Sequence, residues 1–299
     1  MSTADAQMRA YYEQGKEQDR LAGAKGVLEF ERSKEIVQRR LPRAPAAVAD
    51  IGGGPGRYAL WLAEQGYTVQ HRDLMELHVD QLRASGNPSI QARAGDARRV
   101  DLPDSSVDAV LLLGPLYHLP DREDRIQALK EARRIVRDGG PVFVAAISRW
   151  APRLDGVLQE RLYERSPDFP SLLPEIERTG NLPPVVPSGF VGYTHRPGDL
   201  VDEIAEAGLQ LDDLVGVEGL PLAGTDMESR VGDQGAWDVL LDAARAIERV
   251  PELLGLSPHL IATATRVLAR PAPRRTRRRR PRSSWQGGIK GRVQRIEVG

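Results

Sequence analysis

Between Val48 and Val69 the chain reads VADIGGGPGRYALWLAEQGYTV: an apolar run, a glycine turn, a helical pattern and a second apolar run. Strand, glycine turn and helix start in that order form a ligand cradle of doubly wound α/β sheets, placed at the carboxyl edge of the strands. Gly52, Gly53, Gly54 and Gly56 let the backbone turn tightly and come close to a ligand where any Cβ would collide. Glycine alone does not say which ligand, so the flanking residues carry the argument. A nicotinamide fingerprint GxGxxG begun at Gly52 needs glycine at position 57, where Arg57 stands. Asp50, two residues before the first glycine, is awkward beside a pyrophosphate but suits a ligand bearing an ammonium and a sulfonium, as S-adenosylmethionine (SAM) does. It is expected to accept hydrogen bonds from turn amides and water while placing negative potential near that sulfonium; a turn-stabilising Asp is the simpler alternative.

Four blocks, in order and regularly spaced, carry a family resemblance: the DIGGGPG turn; HRDLMELHV, with Asp73 ending the second strand; AGDARRVDLPDSSVDAVLLLGPLYHL, with Asp96, Asp108 and the segment Gly114 to His118; and EARRIVRDGGPVFVAAISRW. Over about residues 5 to 270, most strongly 48 to 147, the chain resembles the class I SAM-dependent methyltransferases, and within them the small-molecule branch common in bacteria. The resemblance implies SAM as donor and S-adenosylhomocysteine (SAH) as product. It implies a Rossmann-like, doubly wound sheet of about seven strands with helices on both faces, the last strand antiparallel between the fifth and sixth. Asp73 lies 21 residues beyond Gly52, where a carboxylate, with Leu74 beside it, can take both ribose hydroxyls as in other nucleotide sites. In the family, the acid matching Asp96 accepts from the adenine amine and the next amide, here Ala97, meets a ring nitrogen. Leu113 and Gly114 would lie under the methionine portion. Helices ahead of the first strand cover the donor in this family, so residues 1–46 are expected as a helical cover. Tyr12 then closes over the donor and Tyr11 faces the acceptor, unless both rings simply pack in the core. Arg32 is within reach of the donor carboxylate on this reading but is better taken as an exposed helix arginine, and Asp108 as structural.

Periodicity organises the rest of the domain, residues 47–270. Arg122 to Val136 is an amphipathic helix stopped by Asp138, Gly139 and Gly140, and Pro141 to Ile147 a fifth strand. The next stretch, about 148–195, is rich in proline and holds Trp150, Tyr163, Phe169, Phe190 and Tyr193. It is too long for a plain connection and is expected to form a lid or substrate wall. A helix over Pro197 to Ala207, a strand over Leu209 to Val217, a helix over Ala236 to Val250 and a last strand from His259 complete the pattern.

The chain has no cysteine, which excludes disulfides, thiolate zinc sites and a cysteine nucleophile. No apolar run approaches membrane-spanning length and the polar start lacks a secretory core, so a cytoplasmic location is expected. Zero net charge hides a split: residues 270–299 hold eleven basic residues and one acid, leaving the preceding body near −10. An acidic body is a poor nucleic-acid platform, and the Pro- and Arg-rich residues 271–299 are expected to be disordered.

Methyl transfer from a sulfonium is an in-line displacement, so placement of the acceptor and exclusion of water come first. A base matters where the acceptor must lose a proton, and His118 and His195 are the neutral-pH candidates, although either could be a packed wall histidine. Tyr117, Tyr193 and Arg149 are candidates to orient substrate. Histidine spacing offers no metal pair. O- or N-methylation of a small molecule is the leading function. The alternatives are an RNA or protein methyltransferase docking through the Arg-rich tail, a SAM-binding protein without catalysis, and, last, a dehydrogenase. Oligomeric state leaves no mark in the sequence.

Overall fold

The computed structural model describes residues 10–12, 23–185, 189–219 and 227–267; the basic tail and residues 1–9 and 13–22 of the expected N-terminal cover lie outside them. Five parallel strands run in the order β3 (Ile90–Ala94), β2 (Thr68–Asp73), β1 (Ala47–Ile51), β4 (Ala109–Leu112) and β5 (Pro141–Ser148). β9 (His259–Arg266) pairs antiparallel with β5, and β8 (Leu209–Gly216) pairs antiparallel with β9. Counting these seven strands alone, the order is 3-2-1-4-5-7-6 with the last strand reversed, the Rossmann-like arrangement expected.

Period-two alternation explains why both faces are covered. Val48, Leu111 and Phe143 point to one face, against Val37 of α1 (Ala24–Gln38), Ala59 and Leu62 of α2 (Arg57–Glu64) and Leu82 of α3 (Glu76–Arg83). Their strand neighbours Ala49, Val110, Val142 and Val144 point to the other. There they meet Leu129 and Ala132 of the helix Arg122–Ile135, here α4, and Leu200 and Ile204 of the helix Pro197–Glu206. Asp108 is structural: its Oδ2 accepts from the Ala47 amide at 2.8 Å and its other oxygen pairs with Arg137, tying the starts of β1 and β4 together.

The stretch 148–195 is more ordered than a plain lid. It contains short helical turns through residue 165, α5 (Phe169–Thr179), β6 (Asn181–Leu182) and β7 (Gly192–His195), with Phe169, Leu173 and Ile176 as its own small core. β7 joins the main sheet, which the sequence pattern does not foretell. Thr194 and His195 pair in parallel with Ile147 and Ser148, while Ile147 also faces His259 across its other edge. β7 therefore fills the edge that β4 leaves at Leu112, where Gly114 and Pro115 carry the chain away.

Arg32 corrects the expectation of an exposed residue: it is wholly buried. Its Nε donates to the Val217 carbonyl at 3.2 Å, Nη1 to Glu35 at 2.6 Å and Nη2 to Glu248 at 2.5 Å. Glu35 is an i, i+3 neighbour on the same helix, but Val217 and Glu248 lie far off in sequence, so helix periodicity alone could not reveal the burial. No helix among the described residues is long and apolar enough to cross a membrane.

Candidate active site

The turn after β1 and the chain after β4 interlock. Gly52 has φ +69°, and a Cβ there would lie 2.5 Å from Cγ of Pro115. Only glycine meets both the left-handed backbone and the close approach. Around this turn is a cavity of about 120 Å³. Its wall unites the expected donor residues Tyr12, Gly52, Gly53, Gly54, Asp73, Leu74, Asp96, Ala97, Leu113 and Gly114; Asp50 and Gly56 stand outside it. Gly56 instead starts α2 with φ +85°.

Asp50 is placed differently from expectation. It is fully buried behind the turn, with Oδ2 3.2 Å from Nδ1 of His71, and a Cβ on Gly53 would come within 2.1 Å of that oxygen. Its partner is a histidine of β2 rather than the turn amides, so any negative potential reaches the cavity through the backbone of the turn.

Asp73 is the hub of the donor wall. Its Oδ2 accepts from the Gly54 amide at 2.8 Å, and its Oδ1 from the Met75 amide at 2.9 Å with His78 Nδ1 at 3.0 Å. Burial works to raise the carboxyl's pKa, but the His78 contact and the two amides outweigh it and hold it below the ordinary value. With Oδ1 doubly engaged, Oδ2 retains room for one more donor. Asp96 is held by Arg98, whose Nη2 lies 2.6 Å from Oδ2 while its Nη1 reaches Asp124 at 2.6 Å. His78, buried on the cavity wall, is a residue that sequence reasoning missed; its position five residues after Asp73, on the first turns of α3, was the available signal.

A second cavity, of about 430 Å³, lies beneath the 148–195 stretch. Tyr12 and Tyr117 line both cavities, and Tyr11 and Phe190 line the second. The rings pack edge to face: Tyr11 on Phe190 at 5.8 Å and Tyr12 on His78 at 5.1 Å. The Tyr12 hydroxyl is 2.6 Å from Nε2 of His118, which lines the first cavity. His118, Tyr11, Tyr12 and Tyr117 are thus brought together at the junction.

His195, Arg149 and Tyr193 are not brought there: none of them lines either cavity. His195 is fully buried with Nε2 3.2 Å from Glu203, whose carboxylate also takes Arg125 at 2.6 Å. Burial pushes the His195 imidazole below its ordinary pKa despite Glu203. Tyr193 lies under the Arg125 guanidinium, 3.5 Å from it. Arg149 is buried and spends its donors on the Thr194 and Glu177 carbonyls, at 2.9 and 3.0 Å, and on Asp199 at 3.2 Å. All three residues pin the inserted stretch to the sheet. The reason is β7, whose pairing with β5 turns these side chains into the protein.

Tertiary structure also gathers Glu29, Glu218 and His259, with potential ligand atoms within 4.8 Å of one another, a group that spacing along the chain could not suggest.

Comparison with known proteins agrees with the fold. Residues 49–144 match a family described as "Methyltransferase domain". The chain is similar to the methyltransferase GfsG of Streptomyces halstedii, 32% identical over 124 residues, covering 39% of this chain and 44% of that protein. It is similar to the ubiquinone/menaquinone biosynthesis C-methyltransferase UbiE of Acidiphilium cryptum, 34% identical over 138 residues, covering 44% and 53%. The chain thus spans about half the length of the curated relatives it matches. Among solved structures, a SAM-dependent methyltransferase from Methanosarcina mazei shares the fold at a TM-score of 0.52 and 18% identity, covering 78% of this chain and 98% of that one.

Proposed function

We propose that the chain, whose residues 49–144 match a methyltransferase domain, transfers a methyl group from SAM to a small, largely apolar acceptor seated in the second cavity. The observation that carries the reading is the sharing of Tyr12 and Tyr117 by the two cavities, which sets a donor site directly against an acceptor chamber. A volume of about 430 Å³ suits a drug-sized molecule, since small-ligand pockets run to roughly 300–1,000 Å³. The acidic body disfavours a nucleic-acid acceptor, and the Arg-rich residues on which that reading depends lie outside the described ones.

When bound, SAM supplies a methyl carbon already activated by its sulfonium. The cavity fits such a ligand, because Gly52, Gly53, Gly54 and Gly114 line it with backbone alone, and the Gly52 turn and Gly114 pack too closely on each other and on Pro115 for any side chain there. Asp73 would hold the ribose through the remaining capacity of Oδ2. Asp96 would share its carboxylate between Arg98 and the adenine amine, with the Ala97 amide beside it. Leu113 and Gly114 would support the methionine portion. The donor cavity is narrow, and Tyr12 packs across it onto His78 and His118, so the Tyr12 segment must yield as the donor enters and then shield the junction from water.

Small hydroxylated and amine acceptors incubated with SAM and screened by mass for the gain of a methyl group test the proposal. Calorimetry showing no uptake of SAM or SAH, with tight binding of a nicotinamide nucleotide, would overturn it; saturable SAM uptake without turnover on any acceptor would point to a binding protein.

A further inference from the structure

β9 is antiparallel, so its first residue lies at the carboxyl edge of the parallel strands, the edge at which such sheets hold ligands. That residue is His259, opposite Ile147 at the end of β5, and both line the second cavity. Glu218, two residues beyond β8, grips the imidazole: its Oε1 is 2.5 Å from Nδ1 of His259. Its Oε2 accepts from the His259 amide at 3.1 Å and from the Ser257 hydroxyl at 3.0 Å. The Glu218 amide in turn donates to the Ser257 hydroxyl oxygen at 3.1 Å. Glu218 is thereby fixed by three contacts besides the ring. A carboxylate accepting from Nδ1–H selects the tautomer with the lone pair on Nε2 and stabilises the imidazolium that protonation would form.

We propose that His259, oriented by Glu218, is the general base for the acceptor, and that the acceptor carries an acidic hydroxyl on an aromatic ring. The inference rests on the methyltransferase reading above. Tyr11, Tyr12, Tyr117, Phe169 and Phe190 wall the chamber with rings, which suits a planar molecule. In the step, His259 Nε2 takes the hydroxyl proton while an oxygen lone pair forms the bond to the methyl carbon. The carbon–sulfur bond breaks, and its electron pair remains on sulfur, which becomes an uncharged thioether. The proton leaves the imidazolium for solvent.

The same residues, with Glu29, are the group whose ligand atoms come within 4.8 Å. A divalent ion is the competing use. Nδ1 and Oε1 in direct hydrogen-bond contact leave no place for an ion between them, and Oε2 is engaged by two further donors, so the contacts favour the dyad.

4-Nitrophenol is a direct probe, because its phenolate absorbs where the neutral phenol does not. Titrated into SAH-loaded protein below the free phenol's pKa, it should develop the phenolate band. His259→Gln should retain bound probe but lose the band, and Glu218→Gln should weaken it about tenfold or more. The groups whose own titration bears on this result are Glu218 after β8, Glu29 of α1, and Asp155, Glu160 and Arg165 around the cavity. A repeat with a chelator should change nothing. A band unchanged in His259→Gln, or a band abolished by chelator and restored by magnesium, would overturn the dyad. SAH uptake in the same samples separates the failures: lost uptake in the unaltered protein strikes the methyltransferase reading, whereas normal uptake with an unchanged band in His259→Gln strikes the dyad alone.

Discussion

Valine at position 54 would need φ near the +57° that Gly54 adopts, a conformation costing a β-branched residue about 1–3 kcal/mol. It would also displace the amide that donates to Asp73. Gly54→Val should therefore weaken SAM binding at least about tenfold by calorimetry, and retained affinity would refute the role of the turn. Glu203 offers the opposite kind of test, because its removal should harm folding and spare the donor site. Glu203→Gln leaves Arg125 buried without its counter-charge, a loss of about 3–5 kcal/mol. A fall in the denaturation midpoint with unchanged SAM affinity is expected; a lost SAM site with normal stability would contradict the structural role assigned to the Arg125, Glu203 and His195 cluster. The glycine turn and Asp73 were legible because strand, turn and carboxylate lie within one short stretch. The true placement of His195 was not, since its partner Glu203 sits on the following helix and its burial follows from the pairing of β7.

Helix α1 is fastened to the C-terminal half of the domain by charge rather than by apolar area alone. Glu35, bonded to Arg32, Arg39 and Arg245, has its pKa lowered to about 2; burial acts to raise it, and the Arg32 and Arg39 contacts prevail. A carboxyl depressed in the folded state stabilises it fully above the unfolded value, here 4.5, and that contribution fades as pH falls toward 2. Denaturation midpoints of the unaltered protein and Glu35→Gln should thus differ near neutrality and converge progressively below pH 4.5. A difference that stays constant with acid would mean that Glu35 contributes packing alone. Helix α1 itself falls within the helical cover that the family resemblance implied for residues 1–46. Its clamp was not legible, because Val217 and Glu248 approach Arg32 only after the sheet has brought the two ends of the domain together.

For the molecule as a whole, deleting residues 271–299 removes ten of its basic residues while leaving the sheet, whose last strand ends at Arg266. The truncated chain should keep its thermal midpoint and SAM affinity, measured side by side with the full chain; a large loss in either would make the tail integral to the fold. The seven-strand order was what the family resemblance implied, while the strands themselves, the glycine turn and the acids at strand ends follow from features that neighbours in sequence share. Such features act over a few residues, so the linear chain carries them in full. The acceptor chamber, the anchoring of the inserted stretch by β7 and the pairing of Glu218 with His259 depend on contacts between distant segments. Their geometry follows from where β9 enters the sheet: inserted antiparallel beside β5, it delivers His259 to the ligand edge, and β8 pairing alongside delivers Glu218 to meet it. Local chemistry could announce a methyl-donor site, but the partner for the acceptor's proton exists only once the strands have been laid in order.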